Sequence, residues 1–250
     1  MIKLQLKSKF LFSISFGLHM FLYTSSSSAG IVRDDEVNSF WPVVQLVNDL
    51  TQHGNLRSED ILVVSDWDNV ISQVNGTNLP LRELTTGENI GWLYHKQVPL
   101  LILTSRAYGS GYRESDQQSY LQGSDEMGRA LSSQISAAWP YAFDFELNYL
   151  RPILSKPVLQ GYHVLKSSNH FAVGVNGVIF TRSNALSEDG GESSKGSALA
   201  HAIDSEWFSV NPKVIIFIDD SESNIAQVKE MFSLRSEKVF LFYFPEEQAI

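Results

Sequence analysis

The sequence predicts an α/β protein built on a doubly wound, mainly parallel, Rossmann-like sheet. Apolar segments of strand length alternate along the chain with segments of helical periodicity. The candidate central strands are apolar throughout, as expected for parallel strands covered by helices on both faces. Three of them run directly into acidic or small polar residues, and ligands of such sheets bind at the carboxyl ends of the strands. These three are ILVVS (61–65), VPLLILTSR (98–106) and KVIIFIDD (213–220).

The elements of the first half are assigned from hydrophobic spacing. Residues 34–50 start with acidic residues and place apolar residues at helical intervals, so we interpret them as an amphipathic helix despite Pro42. The β-branched run 61–65 is the first buried strand. The elements predicted after it are a helix at 87–96, the strand 98–106 and a mostly helical stretch at 114–138.

The second half contains the clearest turn signal. Residues 171–181 alternate on either side of Asn176-Gly177, which predicts a β-hairpin. We interpret the proline- and aromatic-rich stretch 139–170 as irregular. The remaining elements are a helix at 194–203, the strand 213–220, a helix at 221–232 capped by Ser221, and a last strand at 238–244.

The first 29 residues are typical of a secretory signal peptide. Three lysines precede the apolar run FLFSISFGLHMFLY (10–23), which is short for a membrane span. Small residues at Ser27 and Ala29 suit a signal peptidase site. An uncleaved anchor and a buried first helix are the alternatives. We therefore expect an exported protein, periplasmic or secreted, with one domain over residues 30–250 and no stable membrane association after cleavage.

Composition excludes several classes of partner and chemistry. Without residues 1–29 the chain has 16 basic and 28 acidic residues, a net charge of −12. Such a chain is a poor general binder of nucleic acid or anionic membranes. It has no cysteine, which excludes disulfides, zinc–thiolate sites and cysteine nucleophiles.

Acidic residues follow two of the predicted buried strands. Asp66 and Asp68 come after the first, and Asp219 and Asp220 end the third. Taken alone, each pair suits a solvated strand end or a helix cap. If both strands are central and parallel, however, four carboxylates gather at one edge and repel each other unless a cation lies among them. Oxygen ligands without sulfur favour magnesium over zinc.

Two further segments are suited to anion binding. Thr104 and Ser105 end the second buried strand, where the Thr104 hydroxyl and the following backbone N–H groups could hold a phosphate oxygen. Lys195 lies at the start of a predicted helix, so its ammonium and the helix N-terminus could both face an anion. The alternatives are an ordinary strand-end threonine and a solvated surface lysine.

With these residues in view, the chain resembles the haloacid-dehalogenase-like hydrolase superfamily, whose members are mostly phosphatases. Four motifs occur in the order of that superfamily, over residues 61 to about 244. They are VVSDWDNVI, LLILTSR, Lys195 in SSKGSAL, and VIIFIDDSESN. The segment NGVIFT followed by a loop and KG further resembles a group of secreted bacterial members.

The resemblance implies a role for each motif residue. Asp66 would be the nucleophile that forms an aspartyl-phosphate, and Asp68 the general acid and base. Lys195 would neutralise charge, and Thr104 and Ser105 would bind the substrate phosphoryl group. Magnesium would be held by Asp66, by the backbone carbonyl of Asp68 and by an acid of the fourth motif.

Departures from the family pattern bear on the metal ligands and the substrate. The fourth motif reads DDxxxN, and aligning Asn224 with its last acid makes Asp220 the metal ligand and Asp219 an auxiliary residue. Only 38 residues separate Asp66 from Thr104, which leaves no room for a large cap. The 91 residues between Thr104 and Lys195 indicate a small cap-like insertion within about 139–190, whose aromatic residues could form a substrate wall or a local core.

The leading functional hypothesis is a secreted, magnesium-dependent phosphatase acting on a small phosphorylated substrate. A nucleotidase or phosphotransferase on the same scaffold is one alternative. A non-catalytic exported binding protein that keeps the acidic pocket is another. A sugar-nucleotide transferase with a DxD motif explains neither Lys195 nor the second acidic strand end.

Overall fold

The structure is a computed structural model that describes residues 30–71, 85–108, 158–160, 162–167, 170–175, 177–183 and 193–245. Its strands are β1 (Gly30–Glu36), β2 (Ile61–Ser65), β3 (Leu100–Tyr108), β4 (Tyr162–Ser167), β5 (His170–Val175), β6 (Val178–Ser183), β7 (Val214–Asp219) and β8 (Lys238–Tyr243). The α-helices of the described part are α1 (Trp41–Gln52), α2 (Thr86–His95), α3 (Lys195–Asp204) and α4 (Glu222–Phe232).

All the strands belong to one sheet in the order β1-β8-β7-β2-β3-β6-β5-β4. The strands from β1 to β6 in that order pair in parallel, and β5 and β4 are added antiparallel beyond β6. The predicted α/β class with a mainly parallel sheet is therefore confirmed. The inner strands β2 and β7 are buried along their whole length, as their uninterrupted apolar runs predict.

Apolar side chains on both faces of the sheet form two hydrophobic cores. Ile61 and Val63 of β2 point into one core, and Leu62 and Val64 point into the other, because successive residues of a strand alternate in direction. Helices α1 and α2 cover the first face, and α3 and α4 cover the second. The central strands are thus buried between two layers of helices, and their ends lead into loops.

The N-terminal prediction is wrong in part. Residues 30–36 form strand β1 along the free edge of β8, and the helix begins only at Trp41. The acidic residues before Val37 are typical of a helix start, but their backbone pairs with β8. Pro42 lies in the first helical turn, where its missing N–H costs nothing. Trp41, an apolar residue of the predicted amphipathic helix, is 52% exposed.

The second correction concerns residues 139–170, which were expected to be irregular. Residues Tyr162–Ser167 form the edge strand β4, paired antiparallel with β5. The hairpin of β5 and β6 is confirmed, and Gly177 in its turn has a φ of +87°, a left-handed value that glycine adopts freely. The described part of the predicted insertion thus extends the sheet. The rest of it, the predicted signal peptide and the predicted helix 114–138 lie outside the described residues.

The other predicted elements agree with the structure to within two residues at each end. Ser221 occupies the N-cap position of α4, but its hydroxyl makes no capping bond to that helix. The carboxylate of Asp219 instead accepts a hydrogen bond from the Ser221 backbone N–H at 3.0 Å. Within the described residues, none of the helices has the length and apolar content needed to cross a bilayer.

Helix α3 approaches α4 closely at Gly196. A β-carbon added there would lie 2.5 Å from the backbone oxygen of Gln227 and 2.9 Å from its carbonyl carbon. Backbone atoms cannot move aside as a flexible side chain can. A glycine is therefore needed at the first turn of the helix that carries Lys195.

We predict that Gly196→Ala lowers the free energy of unfolding by about 2–3 kcal/mol, because the helices must separate to admit the methyl group. Urea unfolding followed by circular dichroism measures the change. The control Glu230→Ala changes an exposed position of α4 and should alter stability by less than about 0.5 kcal/mol. Equal effects of the two substitutions would contradict the close approach.

Candidate active site

The candidate site lies where the order of the strands reverses. From β2 the chain passes to β3 on one side, and it returns through β7 on the other side of β2. The carboxyl ends of β2 and β7 therefore flank a switch point, where open α/β sheets bind ligands. The backbone N–H of Asp66 still donates to the Ile218 carbonyl at 3.0 Å, which fixes Asp66 beside the end of β7.

A buried ammonium joins the acids of these two strands. Lys195 Nζ lies 2.7 Å from Asp66 Oδ2 and 2.7 Å from Asp219 Oδ2. The side chain of Lys195 is only 1% exposed, so it is not a solvated surface lysine. Lys195 is the first residue of α3, whose start is fixed by Ser194 Oγ accepting from the Ser197 N–H at 3.0 Å.

Asp219 is held by donors on both of its oxygens. Oδ2 accepts from Lys195, while Oδ1 accepts from the Ser221 backbone N–H and from Asn224 Nδ2 at 2.9 Å. Asp219 is fully buried, so these bonds compensate for the loss of water around its carboxylate. Asn224, the last residue of the DDxxxN motif, therefore orients Asp219.

Asp220 completes a group of three carboxylates. Asp66, Asp219 and Asp220 each offer an oxygen, and these oxygens lie within 4.8 Å of one another. Asp220 is half-buried, and its Oδ2 accepts from Asn69 Nδ2 at 2.9 Å. These three oxygens are close enough together that they could hold a metal ion, and carboxylate oxygens are ligands that hard divalent cations prefer.

Burial and like charge control the protonation of the cluster. Burial, together with the negative charge of Asp219, raises the pKa of Asp66 to about 7 against the opposing effect of Lys195. Burial also raises the pKa of Asp219. Burial would lower the pKa of Lys195, but the carboxylates of Asp66 and Asp219 outweigh it and raise that pKa. A divalent cation at the cluster would favour the ionised acids.

The other predicted residues occupy the same edge of the sheet. Ser65 pairs with Ile102, so Thr104 lies about two residues further along β3, and it is buried. Its backbone carbonyl accepts a hydrogen bond from Thr181 Oγ1 at 3.5 Å. Ser105 is half-buried. Asp68 is half-buried in the turn after β2, and its carboxylate is not among the three that converge.

Two contacts of the site were not predicted. The backbone N–H of Trp67 donates to Asp66 Oδ1 at 2.7 Å, so the Asp66 carboxylate accepts from its own turn as well as from Lys195. Asn69 reaches Asp220 from 151 positions away in the sequence. Asn69 has a left-handed backbone, with a φ of +57°. Asparagine is enriched at such turn positions, so its presence after Asp68 is a sequence signal for this turn.

A family model described as a protein of unknown function (DUF2608) matches residues 158–245. That stretch contains Lys195, Asp219 and Asp220, whereas Asp66 and Thr104 precede it. No curated protein and no solved structure matched the chain.

We predict that the stability of the metal-free protein falls as pH rises from about 4 to about 7. Over this range the folded state keeps a proton on Asp66 that the unfolded chain has already released, so rising pH favours unfolding. Asp66→Asn removes this contribution and should be more stable than the unsubstituted protein by about 2 kcal/mol at pH 8, with little difference at pH 4.5. Urea unfolding in EDTA measures the free energy of unfolding of both proteins at each pH. If the two free energies change with pH in parallel, the raised pKa of Asp66 is contradicted.

We also predict that Lys195→Met destabilises the protein by about 3 kcal/mol at pH 8, because two buried carboxylates lose their cation. The double variant with Asp66→Asn should recover part of the loss. Lys229→Met is the matched control, since Lys229 pairs with Asp34 at 2.6 Å on the surface and should cost less than about 1 kcal/mol. Thermal or urea unfolding measures the stability of each variant. If both variants lose the same free energy of unfolding, Lys195 contributes no more than a surface ion pair does.

Proposed function

We propose that this protein is a magnesium-dependent phosphomonoester hydrolase of the haloacid-dehalogenase type, acting through an aspartyl-phosphate on Asp66. One observation carries the proposal. A buried lysine lies 2.7 Å from acids at the ends of two adjacent parallel strands, with a third acid near enough to share a cation. A purely structural ion pair would not need the third carboxylate, that of Asp220, beside it at the switch point.

The arrangement addresses the main electrostatic obstacle to phosphoryl transfer. A carboxylate that attacks a phosphate dianion must overcome repulsion between like charges. The ammonium of Lys195 lies beside the Asp66 carboxylate and offsets part of this repulsion. Mg²⁺, held by Asp66, by an acid of the Asp219–Asp220 pair and by the Asp68 carbonyl, would supply further positive charge against the phosphoryl oxygens.

In the first step, a carboxylate oxygen of Asp66 attacks phosphorus. The bond between phosphorus and the ester oxygen breaks, and Asp68, in its protonated form, gives its proton to the leaving oxygen. Thr104, and Ser105 beside it, would bind the phosphoryl oxygens at the edge of the sheet. The products of this step are the free alcohol and a phosphoryl group on Asp66.

In the second step, Asp68 acts as a base. It takes a proton from a water molecule whose oxygen attacks phosphorus, and the bond between phosphorus and Asp66 breaks. Inorganic phosphate leaves and both aspartates return to their starting states. Two carboxylates in different surroundings can divide the work in this way, since Asp66 is buried beside Lys195 while Asp68 is half-buried.

The proposal extends to the class of substrate and to the location of the enzyme. An acidic cluster that needs a cation to accept an anion suits a small phosphorylated molecule better than nucleic acid. With the N-terminal 29 residues removed as a signal peptide, the enzyme would act in a periplasm or outside the cell.

The test is hydrolysis of p-nitrophenyl phosphate with Mg²⁺, using Asp66→Asn and Asp68→Asn. We expect Asp66→Asn to lower kcat by about 10³-fold or more and Asp68→Asn by about 10²-fold to 10⁴-fold. EDTA should abolish turnover and added Mg²⁺ should restore it. Asp49→Asn, the same change on the exposed face of α1, is the control and should leave kcat unchanged.

Turnover that survives unchanged in Asp66→Asn would refute the proposal. A protein that Mg²⁺ stabilises but that hydrolyses nothing on a broad panel of phosphate esters would instead be a binding protein on the same scaffold. A panel with nucleotides and with alcohols as acceptors would separate a nucleotidase or phosphotransferase from a general phosphatase.

A further inference from the structure

We infer that Asn69 is a positioning residue that holds the carboxylate of Asp220 at the cation site. The inference rests on the proposed function, because it concerns the metal ligands of that site. Asn69 Nδ2 donates to Asp220 Oδ2 at 2.9 Å. This bond links the turn after β2 to the segment after β7, which are the two sides of the candidate site.

The backbone at position 69 restricts which residue can make this bond. Asn69 has a φ of +57°, in the left-handed region that most residues avoid. Glycine, asparagine and aspartate adopt this conformation most readily. Glycine has no side chain to donate, and aspartate would place a second negative charge against Asp220. Of these three, only asparagine combines the conformation with a neutral N–H donor.

A neutral donor has a specific advantage at a metal ligand. A lysine or arginine beside Asp220 would orient the carboxylate but would also neutralise it and compete with the cation. An amide orients the carboxylate and leaves its charge. Asp219, by contrast, receives the ammonium of Lys195 directly and is fully buried. The two adjacent acids therefore differ, and Asp220 is the one whose charge remains available to a cation.

The bond also restricts a side chain that burial alone does not fix. Asp220 is half-buried, so its carboxylate would otherwise sample several rotamers. Partners that orient a ligand in this way commonly contribute about 10-fold to 100-fold in metal affinity. We therefore place Asn69 among the determinants of Mg²⁺ affinity.

The experiment measures Mg²⁺ binding by isothermal titration calorimetry on the full protein without substrate. Asn69→Gly keeps the left-handed backbone and removes only the amide. Asn55→Gly is the matched control, since Asn55 also has a left-handed φ, +54°, but is exposed in the turn before β2. We expect Asn69→Gly to raise the Kd for Mg²⁺ about 10-fold. Asn55→Gly should leave it unchanged, and the metal-free stability of both should stay close to that of the unsubstituted protein.

A double-mutant cycle separates positioning of Asp220 from a general effect on the fold. In the Asp220→Asn background, Asn69→Gly should cause no further loss of Mg²⁺ affinity. Unchanged affinity in the single variant, or an equal loss in the Asp220→Asn background, would overturn the inference. So would a protein that binds no Mg²⁺. If Mg²⁺ binds and Asn69→Gly weakens it, but p-nitrophenyl phosphate is not hydrolysed, the positioning role stands and the proposed function fails.

Discussion

The structure of the site depends on one buried ammonium between two carboxylates. Lys195 contacts Asp66 and Asp219 at 2.7 Å each, and all three side chains are almost completely removed from water. Two acids in such surroundings would otherwise repel each other and take up protons, as the raised pKa of each still indicates. When all three acids are ionised, the one ammonium of Lys195 leaves a net negative charge that a divalent ion would offset.

The fold brings these groups together by placing them at the ends of regular elements. Asp66 and Asp219 end adjacent parallel strands in register, and Lys195 is the first residue of a helix on the face that α3 and α4 cover. The close approach at Gly196 holds that helix against α4. Side chains carried by helices and strands are positioned more precisely than side chains carried by loops. Backbone pairing and helix packing therefore set the distances at the site.

Much of this arrangement is predictable from sequence, because it depends on local patterns. The uninterrupted apolar runs before Asp66 and Asp219 predict buried parallel strands, and parallel strands place their ends together. What could not be predicted depends on tertiary pairing. Residues 34–36 resemble a helix start as long as the free edge of β8 is unknown, and β4 can be assigned only once its partner β5 is placed. An asparagine after Asp68 is a local sign of a left-handed turn, but its contact with Asp220 could not be predicted, since both turns must be placed first.

The central claim is that Asp66, beside Lys195, is phosphorylated with the help of a divalent ion. The most direct measurement is a crystal structure with Mg²⁺ and beryllium fluoride, which mimics a phosphoryl group on a carboxylate. The account predicts beryllium fluoride bonded to Asp66, with Lys195 against the fluorides and Mg²⁺ bound by Asp66 and by an acid of the Asp219–Asp220 pair. Mg²⁺ elsewhere on the protein, or no adduct on Asp66 at saturating beryllium fluoride, would contradict it.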